Sequence, residues 1–161
     1  MKEINKNMGF YHPEKYFLVA GSGDSKYELV AFDQALINAG IADVNLSTIS
    51  SIIPPHCQRI DPIPLVAGGI YAVAFASIQS HKPGEIISSA VAISQPEDQS
   101  KAGLIMELSD RLPKDMVENK VKEMASMGMK NRGIHLFHIE TISIEHVVQN
   151  VGCTFAGVVE L

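Results

Sequence analysis

The chain has 161 residues, 46% hydrophobic and 19% charged, with a formal net charge of −5. That length fits one domain able to bury about two-thirds of the surface its unfolded chain exposes, and the acidic balance lacks the basic excess that tracks a phosphate backbone, so nucleic acid is not an expected partner. The longest apolar run, residues 68–76, is too short to span a bilayer, residues 1–17 lack the apolar core of a signal peptide, and Cys57 and Cys153 have no CxxC spacing; a cytoplasmic protein with incidental thiols is expected.

After a polar N-terminal arm, residues 15–23 read as a strand that Gly21 and Gly23 break. Residues 27–40 follow as a helix, with Leu29, Phe32, Ala35, Leu36 and Ala39 on one stripe and Gly40 as the residue just past its end. The next strand, 43–52, contains the Ser50-Ser51 pair and is stopped by Pro54 and Pro55, neither of which can donate to a ladder. Two strand-like runs, 68–80 and 86–94, are joined through a segment whose Pro83-Gly84 pair suits a turn, and together predict a hairpin. Residues 102–109 are a further apolar run. Residues 113–128 predict a helix with Pro113 near its start, Met116, Val117, Val121, Met124 and Ala125 on one stripe, and Gly128 at its end. Residues 134–148 and 153–161 close the chain as strands. Two helices cannot provide the crossovers for six or seven parallel strands. The predicted class is therefore α+β, a layered sandwich of mainly antiparallel or mixed sheets with helices packed outside.

Several tempting motifs fail on spacing. Residues 21–26 lack the Gly-Lys-Ser/Thr order of a phosphate loop, and Lys26 stands where a dinucleotide fingerprint needs Gly. His135 and His138, three apart on a strand, face opposite sides and cannot share a metal. His146 reads as a hydrogen-bonded structural histidine, and the methionines near residues 116–129 as adaptable packing.

Three places keep open alternatives. Glu107 follows the apolar run "GLIM": it is either a strand-end surface carboxylate or a half-buried one with a raised pKa. Asp33 poses a similar choice within the run "VAFDQAL", a solvated helix residue being the usual case. Ser50-Ser51 is either a simple strand-to-turn transition or a self-reacting pair, in which Ser51 Oγ attacks the Ser50 carbonyl carbon and turns the amide into an ester. β-branched neighbours and the proline stop restrict the backbone in a way that favours such an attack.

The runs "AFDQALINAGIADVNLSTISSIIPP", "PGEIISSAVAIS", "GLIME" and "IEHVVQNVGCTFAG" resemble, in order and over nearly the whole chain, the pyruvoyl-dependent arginine decarboxylase family. The resemblance implies cleavage between Ser50 and Ser51 into a β chain of residues 1–50 and an α chain of 51–161. β-Elimination would leave dehydroalanine, which tautomerises to an imine and hydrolyses with loss of ammonia, so that a covalent pyruvoyl group replaces Ser51 and no external cofactor is needed. It further implies that Asn45 stabilises the oxyanion during processing, that Asp33 holds the substrate guanidinium, and that Glu107 donates the proton after carbon dioxide leaves a Schiff base of L-arginine, giving agmatine. A homotrimer or hexamer with sites between subunits is implied too, with a role in polyamine supply or acid tolerance. Two alternatives stay open: the same chemistry on another amino acid, and an uncleaved, non-catalytic homologue serving as a binding or regulatory subunit.

Overall fold

A computed structural model describes residues 11–161; residues 1–10, most of the polar arm, lie outside the described residues. Strand β1 (Lys15–Ser25) leads into helix α1 (Glu28–Ala39), followed by the short strands β2 (Asn45–Thr48), β3 (Ile52–Ile53) and β4 (Gln58–Arg59). The long strands β5 (Ile70–Ser80), β6 (Ile86–Pro96) and β7 (Gly103–Asp110), helix α2 (Lys114–Asn131) and strands β8 (Leu136–Val147) and β9 (Val151–Glu160) complete the chain. They form a five-stranded sheet in the order β2-β5-β9-β1-β4 and a four-stranded sheet in the order β3-β7-β6-β8. Helix α1 packs on β1 and β9, and α2 on β6, β7 and β8. The architecture is an αββα sandwich, the α+β class that the scarcity of helices dictates.

Alternation along each strand assigns side chains to layers. Leu18, Val91, Ile93, Ile105, Ala156 and Val158 meet between the sheets. Phe17, Val73, Cys153, Phe155 and Val159 pack under α1, and Ala90 and Ala92 under Val117, Val121 and Ala125 of α2. Strands β6 and β9, covered on both faces, are buried almost throughout, without alternation.

Four local expectations are corrected. Gly21 and Gly23 do not break β1. They let α1 lie against it, since a Cβ at Gly21 would stand 2.2 Å from the Ala35 carbonyl oxygen and one at Gly23 2.3 Å from that of Ala31. The hairpin does not form, because β5 joins one sheet and β6 the other, so their connection crosses between layers. Gly128 lies inside α2, buried beneath Leu104 and Met106, and the helix runs on to Asn131 with Gly133 at φ +64° beyond it. Leu29 and Met116 leave their predicted buried stripes and are exposed; Ala31, Gly128 and Met129 are buried instead. Gly40 does cap α1 from the left-handed region, its N–H reaching Ile37 O. No helix among the described residues is long and apolar enough to cross a membrane.

Candidate active site

The strand expected over residues 43–52 is two strands in two sheets. Strand β2 runs parallel to β5 with Thr48 opposite Val73, and Ile49 N–H still donates to Val73 O at 3.4 Å. The chain then leaves that sheet, and Ile52 and Ile53 pair antiparallel with Leu104 and Gly103 of β7. Ser50 and Ser51 are the step between the sheets.

That step is made in an uncommon conformation. Ser51 has φ +70°, one of two non-glycine residues with positive φ among those described; the other is His56 at +63°. For an L residue this region costs about 1 kcal/mol or more and persists only where surroundings over-determine it. Two contacts do so. The main-chain N–H of Ile105 donates to Ser51 O at 2.9 Å, and the Ser51 hydroxyl donates to Glu107 Oε1. One strand, β7, thus holds the residue by its carbonyl and by its side chain.

Glu107 stands within β7, not at its end, and by alternation with buried Ile105 it points into the layer between the sheets. It is half-buried, and burial pushes its carboxyl above the usual carboxylate range, while the Ser51 hydroxyl pulls it back down. Of the two readings left open by the sequence, the half-buried carboxylate is the one observed.

The structure brings Ser51 and Glu107 together and leaves Asn45 and Asp33 elsewhere in the same chain. Asn45 opens β2, exposed, with its carboxamide donating to Gly68 O at 3.1 Å; about 13 Å of extended strand separates it from Ile49, before Ser51 is reached. Asp33 lies on the exposed side of α1, across the five-stranded sheet from Glu107. Around it on the helix surface are Leu29, 77% exposed, Val30, 51%, and Ile37, 52%. His146, read as structural, lies 2.8 Å from Asp24 through Nε2 and ties β8 to β1.

The sequence reading missed two groups. The Ile105 N–H belongs to the backbone and has no residue signature; only the β3–β7 register reveals it. Glu160, on β9, is 3% exposed, and its Oε1 has no hydrogen-bond partner among the described residues. Its signal was present, a carboxylate ending the apolar run 153–159 as Glu107 follows its own.

The fold and this pair define a class: an αββα sandwich with a serine at positive φ held on a half-buried carboxylate. A family model described as pyruvoyl-dependent arginine decarboxylase matches residues 15–160. The chain is 45% identical over 157 residues to the pyruvoyl-dependent arginine decarboxylase of Methanocaldococcus jannaschii, covering 96% of this chain and 94% of that one. It is 42% identical to that of Methanococcus aeolicus, covering 96% and 97%, and 34% identical to that of Pyrococcus abyssi, covering 89% and 91%. The chain belongs to the pyruvoyl-dependent arginine decarboxylase family.

Proposed function

We propose that the chain cuts itself between Ser50 and Ser51 and then decarboxylates L-arginine to agmatine. The observation that carries this reading is the contact of Ser51 Oγ with Glu107 at a positive φ. A carboxylate that accepts the hydroxyl hydrogen can take the proton as the oxygen attacks the Ser50 carbonyl carbon. The new bond is Oγ to that carbon and the bond lost is the Ser50–Ser51 amide; β-elimination then breaks Cβ–Oγ and frees the Ser50 carboxylate, and conversion of the remaining dehydroalanine to the pyruvoyl end consumes one water and releases one ammonia. The products would be a β chain of 1–50 and an α chain of 51–161, which stay in one domain because β1 of the first pairs along its length with β9 of the second.

The residues present fit a pyruvoyl group at position 51: the side chain faces a carboxylate, and the carbonyl is already fixed by a donor. Once formed, the group supplies the electron sink that carbon–carbon cleavage requires. Its formation removes the Ser51 hydroxyl, the side-chain contact that lowers the Glu107 pKa. Burial is then less opposed, and the carboxyl that served as base keeps a proton to deliver to carbon.

Asp33 is the guanidinium partner, a carboxylate able to accept two parallel N–H bonds. It reaches the Ser51 end of the site from a neighbouring copy. The support is the separation of Asp33 from Glu107 within one chain, together with the exposed Leu29, Val30 and Ile37 around it, an apolar patch of the kind that assembly covers. Asn45, about 13 Å of extended strand from Ile49 in its own chain, likewise serves as the oxyanion donor from a neighbouring copy, where its carboxamide exchanges Gly68 O for the Ser50 carbonyl oxygen. A homotrimer, alone or paired into a hexamer, in the cytoplasm and supplying polyamine synthesis, completes the reading.

The test is the intact mass and N-terminal state of the purified polypeptides, with carbon dioxide release compared across arginine and other amino acids. Two fragments, a blocked residue 51 and release from arginine are expected. A single 161-residue species with an intact Ser51 points to a non-catalytic homologue, and release from a different amino acid keeps the chemistry while replacing the substrate.

A further inference from the structure

Formation of the pyruvoyl end rebuilds the nitrogen, Cα, Cβ and Oγ of residue 51. It leaves the carbonyl of that residue and its bond to Ile52 untouched. The oxygen that accepts the Ile105 N–H at 2.9 Å in the uncut chain is therefore the oxygen that lies next to the reactive ketone carbon in the cut one. As carbon dioxide departs, the electron pair left behind spreads toward this oxygen. A donor already aimed at it stabilises that charge without reorganising at the moment of reaction.

The donor is well fixed. Ile105 is fully buried between the sheets, beside Ile53 and Ile93. The flanking pairs Ile52–Leu104 and Ile53–Gly103 set the register of β3 on β7, and the Ile105 bond extends that ladder by one residue onto Ser51. In a water-poor setting such a bond is electrostatically stronger than in solvent. Glu107, two residues further along β7, brings the proton.

We propose that the main-chain N–H of Ile105 is a catalytic group, polarising the residue 51 carbonyl and stabilising the charge that develops there during decarboxylation. The inference rests on the pyruvoyl reading above and adds a function for a backbone donor that side-chain substitution cannot reach.

The experiment replaces the Ile105 amide by an ester, using the α-hydroxy analogue of isoleucine, which deletes the N–H and keeps the side chain. In the fully cleaved ester protein, kcat is expected to fall about 10²- to 10³-fold, the cost of one oxyanion donor, with KM little changed. An ester also weakens the Leu104 carbonyl, which accepts from Ser94 Oγ at 3.1 Å. Ser94→Ala, which removes only that contact, is the control and should leave kcat within about twofold, the ceiling for a bond remote from the developing charge. A cleaved ester protein with the parental kcat overturns the proposal.

A second readout needs no variant and no turnover: the scalar coupling across the hydrogen bond, from Ile105 ¹⁵N to the residue 51 carbonyl ¹³C, in the cleaved parent. It is expected to be present, and its absence overturns the proposal even where the ester protein fails to fold or cut. A cleaved parent that shows the coupling and ignores arginine condemns the substrate assignment alone, and the ester comparison then runs on whichever amino acid is turned over.

Discussion

Glu107 and Glu160 sit in the same layer, between the two sheets, and burial raises both carboxyls, that of Glu160 to about 7. Glu107 has a hydroxyl on one oxygen, carried by a residue held at φ +70°. Glu160 is more deeply buried, yet among the described residues its Oε1 meets no donor, and titratable groups near it include Tyr11 and Cys57. The comparison separates two things that a shifted pKa alone confounds. Burial makes a carboxyl hold its proton; a hydroxyl within reach gives it a partner with which a proton can be exchanged. Of the two glutamates, Glu107 has both among the described residues.

The strongest way to break the comparison is to remove the Ser51 hydroxyl. Ser51→Ala should fold, remain a single uncut chain by intact mass, and release no carbon dioxide from arginine; decarboxylation by this variant would refute the mechanism. Glu107→Gln comes next. Turnover in whatever fraction is cleaved should fall about 10²- to 10⁴-fold, the usual worth of a positioned acid, with the thermal midpoint retained. In the parent, an acid must be protonated to act, so kcat should decline as pH rises through the raised Glu107 pKa and hold steady below it. A pH profile of the same shape in Glu107→Gln removes Glu107 from the role.

Asp33→Asn tests the part of the site that the single chain does not assemble. Loss of a charge-assisted pair should lower kcat/KM for arginine about 10- to 100-fold, while cleavage at Ser50-Ser51 proceeds. Co-assembly of Asp33→Asn with Ser51→Ala subunits should raise kcat/KM for arginine above that of either variant alone, because an interface can then join an intact Asp33 to an intact Ser51. No recovery on mixing, with assembly confirmed, would place both residues in one subunit's site.

Layer architecture was legible because it follows from counting: many apolar strand runs and two amphipathic helices leave little besides a sandwich. What was not legible depends on which strand finds which partner. The runs flanking Pro83-Gly84 have the spacing of a hairpin, yet both are apolar on both faces, and that pattern is satisfied by two different sheets as well as by one. The glycines of β1 looked like stops because a missing side chain signals a turn and a close helix approach in the same way. At the site, Ser51 and Glu107 are 56 positions apart, and their meeting depends on a two-residue strand too short to show periodicity. Family resemblance supplied that pairing; local pattern could not.

Glu160→Gln is the mildest change and the sharpest control. The carboxyl titrates near 7 in the folded chain against about 4.5 when unfolded, so the folded state binds the extra proton between those values. The stability this contributes is fully present below about pH 4.5 and is lost as pH rises through 7, amounting to about 3 kcal/mol by linkage. The amide cannot ionise. The variant should therefore match the parent near pH 4.5 and exceed it at pH 8, flattening the dependence of thermal midpoint on pH, with cleavage and kcat unchanged throughout. Equal slopes for the two proteins would mean that Glu160 finds a partner for its charge. A loss of decarboxylation would mean that the second buried carboxyl, and not its proximity to Ser51 alone, matters to the chemistry, and the distinction drawn between the two glutamates would fall with it.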